Sequence, residues 1–295
     1  MFRISSIAVG FVLVTYSFSV RDVEARADEG GRVTHFALIS TGPAFNEHLE
    51  MLYWGVNETI YRVLRNYGYP HEAIIQLSER GRNDSRRVDG RSSLENFRSA
   101  FRHLAKITQP DDHVMILLVG HGAPANGDFI TPFIDGELSA TELGELVEPI
   151  QAKNMTLILH PCFSGGFIPN VSGPGRVVVT STIDKEVNGV PWAEAFVEAF
   201  APESKKDTDS DGRVAILEAY VASLRPGKDR YGSDLREHPL LDDNGDGVGH
   251  FGGLPLGGDG SAARKRFLGD QGRPLQFEES AIEQLRQSNS TMLLK

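Results

Sequence analysis

Residues 113–122 read HVMILLVGHG. Six consecutive apolar residues, Val114 to Val119, leave this segment no polar face, so it suits a strand covered on both sides rather than one half open to water. A second run of the same kind, MTLIL at residues 155–159, ends in His160-Pro161-Cys162-Phe163-Ser164-Gly165-Gly166. Shorter runs at 34–40, 73–77 and 176–180 read as three further strands. Between them lie stretches of helical period. In residues 47–67, Leu49, Leu52, Tyr53, Val56, Ile60, Val63 and Leu64 recur three and four apart, and Gly68 and Pro70 end the pattern. Helices are also expected from a Ser92 or Ser93 cap to 107, from Ser139 or Thr141 to about 152, and over 191–200. Strands alternating with helices predict an α/β domain with a central, mostly parallel sheet and helices on both faces.

With 295 residues, 40% of them hydrophobic, the chain can build one large core. Its formal net charge of −10 argues against nucleic acid as a partner, because phosphate binding needs a basic face. A single cysteine excludes an intramolecular disulfide and any multi-cysteine metal site. At the start, a short segment 1–3 made basic by Arg3, an apolar stretch 4–20 and Ala25-Arg26-Ala27 match a secretory signal peptide over 1–27. A retained anchor and a buried strand are the alternatives; the membrane is a partner only if the segment is kept. A secreted or periplasmic location is therefore expected. The folded domain is placed at 28–260, closing in a Gly-rich stretch, and 261–295 is expected to be a polar, dispensable tail.

In an open parallel sheet, ligands sit beyond the carboxyl ends of the strands. His121 and Cys162 each follow such an end, so both side chains can face one crevice although 41 positions separate them. A thiolate is a nucleophile, and an imidazole beside it can accept and return protons. Gly120 and Gly122 on one side, and Ser164, Gly165 and Gly166 on the other, are expected to let backbone approach a substrate. The N–H groups of Gly122 and Cys162 are the candidate oxyanion donors. The plainer reading is a buried, inert Cys162 and a structural His121. Ser164 as a serine nucleophile is a weaker competitor, since the first glycine of G-x-S-x-G is missing.

With ILLVGHG and LILHPCFSGG in this order and spacing, the chain resembles the caspase–legumain clan of cysteine peptidases over residues 33–253. The resemblance implies a caspase-like three-layer fold, protein or peptide substrates, and a dyad in which Cys162 attacks the carbonyl while His121 protonates the leaving amine. It also implies that His160 and the segment beginning at Ser181, with Asp184 and Glu186, form walls of the substrate pocket. The chain departs from the clan in carrying His160 where Gln or Glu is common, and Ser40-Thr41-Gly42-Pro43 where an arginine follows the first strand. A preference for Asp or Asn before the cleaved bond is therefore not expected.

Residues 207–218 fit a twelve-residue calcium loop: Asp207, Asp209 and Asp211 at positions 1, 3 and 5, Gly212 at the turn, the Arg213 carbonyl at 7 and Glu218 at 12. Asp242, Asn244 and Asp246 open a second such loop, but its twelfth position is Gly253; half a site and a plain Asn-Gly turn are equally open. The expectation is an exported cysteine endopeptidase stabilised by Ca²⁺. The alternatives are a calcium-binding or interaction protein that keeps the fold without turnover, and a ligase sharing the dyad.

Overall fold

The computed structural model describes residues 34–79, 88–201, 205–224, 237–252 and 257–274; the expected signal segment and the chain beyond 274 lie outside them. The five expected strands are β1 (His35–Thr41), β2 (Ile74–Leu77), β3 (His113–Val119), β7 (Asn154–Leu159) and β8 (Arg176–Thr180). They are parallel and stand in the order β2-β1-β3-β7-β8, with β9 (Leu240–Asp242) added antiparallel to β8. Apart from His113, every residue of β3 is buried, as its unbroken apolar run demands.

Helices cover both faces. On one side, α1 (Glu47–Asn66), α5 (Pro191–Glu198) and α6 (Ile216–Ser223) pack Ile60, Leu64, Phe196 and Tyr220 against the Leu117 and Val179 face. On the other, α2 (Leu94–Ile107), α3 (Ala140–Val147) and α4 (Ile168–Val171) pack Phe97, Phe101 and Leu143 against Leu38, Ile116 and Leu157. This is a three-layer α/β fold. Helix starts follow local chemistry: Asn46 Oδ1 accepts the Leu49 N–H of α1, and Ser93 and Ser139 accept from Asn96 and Glu142. Among the described residues, no helix is long and apolar enough to cross a membrane.

Two elements depart from the expectations. A separate three-stranded antiparallel sheet, β4 (Ala123–Ala125), β5 (Asp128–Phe133) and β6 (Gly136–Ser139), leads from His121 towards α3. And the domain does not close at 260. Ala263 and Leu268 are buried in the core beside α6, Arg266 O accepts the Ile216 N–H, and the Arg213 guanidinium lies 4.0 Å from the Phe267 ring centre. Residues 261–274 therefore belong to the domain. Arg264 and Lys265 are exposed, but Arg266 is buried and its guanidinium reaches Gly175 O.

Both outer margins of the large sheet are occupied. At β2, Asp89 N–H donates to Gln76 O, the Asp89 carboxylate accepts Gln76 N–H, and Gly90 bridges Leu77. At β9, Leu241 and His250 exchange both backbone hydrogen bonds.

Candidate active site

The chain leaves β1 for β2 on one side of the sheet and continues from β3 on the other, so the order reverses between β1 and β3. Crevices form at such points. Here a cavity of about 380 Å³ opens beyond the carboxyl ends, lined by residues that follow four adjacent strands: Asn46 and Tyr53 after β1, His121 after β3, Cys162 after β7 and Asn188 after β8. His121 and Cys162 thus share one pocket.

Their loops also touch. A Cβ on Gly122 would lie 2.1 Å from Cys162 O and 3.0 Å from Cys162 N, so only glycine allows these two backbones to approach. The turn after the thiol is held in an uncommon shape, with Phe163 at φ 62° and its N–H donating to Glu186 O at 2.7 Å. Such a conformation on a bulky residue persists only where surrounding contacts enforce it.

The His121 imidazole stacks on Phe45 with ring centres 3.9 Å apart and meets the edge of Tyr53 at 5.8 Å. Burial pulls its pKa below the usual histidine value. Neutral His121 can accept a proton, the state an acid/base needs before attack. Cys162 Sγ donates to Asn188 Oδ1 at 3.2 Å and accepts the Asn188 backbone N–H at 3.3 Å. Asn188 Nδ2 in turn donates to His160 O and to Ser181 Oγ, fixing the amide. Burial and, second, the adjacent Cys162 push the Tyr53 phenol far above its ordinary pKa.

His160 lines the same cavity from beneath, but it is 1% exposed and its Nε2 pairs with Gly189 O at 3.1 Å. Burial first, and His121 third, outweigh that hydrogen bond and bring its pKa to about 4, so His160 is neutral near pH 7. Ser181, expected in the pocket wall, is fully buried below it: its hydroxyl donates to His160 O at 2.8 Å. The wall is instead Asn188, Gly189, Val190 and Pro191, with Glu194 on α5. Glu186 turns away to pair with His238, and Glu237 accepts the Gly189 N–H at 2.6 Å. Burial, reinforced by Glu186, raises the Glu237 pKa to about 6.

The small residues after Cys162 also have a different task from the one their composition suggests. Ser164 is fully buried, hydrogen-bonded to Ser181 and Thr182, which removes it as a nucleophile. A Cβ on Gly165 would lie 2.8 Å from Ile183 Cα, and one on Gly166 would enter the Phe129 ring. These glycines admit the protein's own chain, not substrate.

The first acidic loop brings Asp207, Asp209 and Asp211 carboxylate oxygens within 4.8 Å of one another. Glu218 does not join that trio. It is buried, its Oε1 accepting the Thr208 and Asp209 N–H groups and its Oε2 the Ala215 N–H at the start of α6. The Arg213 N–H is bound by Asp211, and its carbonyl is the remaining candidate ligand. In the second loop, Asp242 is buried, whereas Asn244 and Asp246 hydrogen-bond to each other near the surface.

Residues 98–208, which include both His121 and Cys162, match the model of the Peptidase C13 family. Over this stretch the chain is similar to that family of cysteine peptidases. No curated protein matches it in sequence. Among solved structures, the chain is similar to caspase-1 from Spodoptera frugiperda, with 12% identity, 71% of this chain and 86% of that one covered, and a TM-score of 0.48. It is similar also to a Geobacter sulfurreducens protein, at 12% identity, 83% and 100% coverage and a TM-score of 0.49. The Drosophila initiator caspase Dronc aligns at 10% identity over 71% of this chain and 78% of its own, with a TM-score of 0.45.

Proposed function

We propose that this chain is a cysteine endopeptidase in which Cys162 is the nucleophile and His121 the acid/base. The observation that carries this reading is the shared cavity: the chain's one thiol and His121 line it together, with Gly122 seated against the Cys162 peptide. His121 takes the thiol proton and Sγ attacks the scissile carbonyl. The Gly122 and Cys162 N–H groups receive the developing oxyanion. The imidazolium then gives its proton to the departing amine, and water releases the acyl group from sulfur. Asn188 holds Sγ at rest through its backbone N–H, a hydrogen bond that also suits a thiolate. The cavity walls are mainly apolar around Leu49, Leu52, Tyr53 and Pro191, with His48 and Glu194 as polar members. Peptide substrates with a bulky side chain before the cleaved bond fit this lining better than Asp or Asn.

Export through the 1–27 segment and Ca²⁺ held by Asp207, Asp209, Asp211 and the Arg213 carbonyl, with Glu218 exchanging its Thr208 and Asp209 N–H partners for the ion, complete the reading. The three converging carboxylates and the turn at Gly212, φ 83°, support the calcium loop. Peptide-library hydrolysis by the protein, with calcium and a reductant present, tests the mechanism. Activity is expected to vanish in Cys162→Ala and to fall by about 10²–10⁴ in His121→Ala. Persistent hydrolysis by Cys162→Ala removes the cysteine mechanism. A wild type that neither cleaves the library nor is labelled at Cys162 by a thiol-directed peptide probe favours a binding protein instead.

A further inference from the structure

The two acidic loops share part of their internal wiring although only one has a complete sequence pattern. In the first, Asp211 N–H donates to Asp209 Oδ1 and Arg213 N–H to Asp211 Oδ1; in the second, Asp246 N–H donates to Asn244 Oδ1 and Val248 N–H to Asp246 Oδ1. Positive φ falls at the fourth and sixth places of both: Ser210 and Gly212, then Gly245 and Gly247. In the first loop, Glu218 binds the N–H groups of the second and third residues, Thr208 and Asp209. In the second loop, those of Asp243 and Asn244 are bound by Asp259, at 2.9 and 3.2 Å. Asp259 therefore occupies the place of the twelfth-position acid, delivered from further along the chain.

Wiring alone does not make an ion site; the charge does. Asp242 is 1% exposed, and its Oδ2 is buried without a hydrogen-bond partner, while Oδ1 takes the Gly245 N–H. Asp259 is also buried: its Oδ1 accepts the Asp243 and Asn244 N–H groups, and its Oδ2 pairs with His250 Nδ1 at 2.7 Å. Asp243 is buried too, but both its oxygens are taken, by Gly260 N–H and Ala263 N–H, and Arg266 lies near it. That leaves Asp242 Oδ2 as the one oxygen of these three buried carboxylates without a partner. Burying a carboxylate with an empty acceptor position is unfavourable by several kcal/mol unless a cation faces it.

We propose that Asp242, Asn244, Asp246 and the Val248 carbonyl form a second divalent-cation site, completed by Asp259 in place of the missing twelfth ligand. All are oxygen donors, the set that hard cations prefer, and the ion is Ca²⁺. Its position gives it a structural task. Asp242 belongs to β9 and Asp259 to the 257–274 segment, so the ion joins the last strand of the sheet to the stretch that carries Ala263 and Leu268 into the core.

The test is equilibrium dialysis of the full chain against radioactive Ca²⁺ at about 1 mM, a level suited to extracellular-type sites. Two ions per chain are expected for the wild type and one for Asp259→Asn, Asp242→Asn or Glu218→Gln. None is expected for Asp259→Asn combined with Glu218→Gln. Asn at 259 keeps an acceptor oxygen for the Asp243 and Asn244 amides, and an unchanged near-ultraviolet circular dichroism spectrum verifies the fold. If Asp259→Asn and Asp242→Asn bind as many ions as the wild type, the proposal is overturned. If Glu218→Gln binds as many as the wild type while Asp259→Asn loses one, the calcium reading of the first loop falls and this one stands.

Discussion

Replacing Gly122 with alanine asks whether the His121 and Cys162 loops depend on their contact. The new Cβ would sit 2.1 Å from Cys162 O, 2.9 Å from the Pro161 ring and 3.0 Å from Cys162 N. Two of these are backbone atoms, so no side-chain rotation relieves the clash, and one loop must retreat by about 1 Å. A misplacement of that size costs roughly 10² in rate where nucleophile and proton carrier must be aligned, or about 2.7 kcal/mol of barrier. The expected result for Gly122→Ala is a fall in kcat/KM of at least about 100-fold, mostly in kcat. Gly55→Ala is the matched control. Gly55 lies within α1 and its added Cβ meets nothing within 4 Å, so it should stabilise the helix by about 0.5–1 kcal/mol and leave kcat unchanged. Steady-state hydrolysis and urea unfolding, run on both variants, separate catalysis from stability. A fully active Gly122→Ala of wild-type stability would refute the close approach, and with it the placement of both reacting groups.

Ending the chain after Gly260 removes Leu268 and Ala263 from the core along with Phe267 under Arg213; burial of Leu alone is worth about 2–5 kcal/mol, a large share of a typical 5–15 kcal/mol stability, so this truncation should not fold. A soluble, cooperative 1–260 chain would contradict that. Acid should destabilise the protein through His160: its folded pKa of about 4 lies below the unfolded 6.5, so the unfolded chain binds more protons in that window. Stability is then full above pH 6.5 and falls by up to about 3 kcal/mol towards pH 4, and urea titrations of His160→Gln should show a flatter pH dependence than wild type. Glu218→Gln should abolish the part of the calcium-induced stabilisation due to the first loop, about 2.7 kcal/mol at a hundredfold excess over Kd, and with it the corresponding rise in Tm; an undiminished rise would count against Glu218 as a ligand.

Much of this architecture was legible because burial leaves a mark on composition. β3 and β7 are covered on both faces, and their unbroken apolar runs say so; α1 shows its single buried stripe at three-and-four spacing. The three-stranded sheet after His121 left a weaker trace. Its strands are short, half-exposed and carry Pro124 and Pro132, so neither alternation nor a long apolar run marks them. Only Asn126-Gly127, both at positive φ, signals the hairpin between β4 and β5.

The crevice follows the same division. Strand ends located His121 and Cys162, since the parallel sheet determines where its carboxyl ends open. Asn188 comes from an irregular loop whose sequence has no period, and its role depends on a long-range contact with Cys162. Ser181 was misplaced because a position next to a strand end does not say whether a side chain points into the crevice or below it. Composition also misassigned Gly165 and Gly166: a glycine announces close approach without naming what approaches. Asp259 was invisible because it lies outside the twelve-residue window of its loop.

The occupied margins of the large sheet limit how this protein can meet other chains. A bare outer strand offers a row of unpaired N–H and C=O groups to any extended segment, which is how sheets fuse into aggregates. Here Asp89 and Gly90 fill such positions beside Gln76 and Leu77, and His250 fills them beside Leu241. Both guards are brief stretches outside the named strands, and one sits two residues after Val248 in the second acidic loop. Loss of order there would uncover Leu241 first, making this margin the place where a partly unfolded molecule begins to pair with its neighbours.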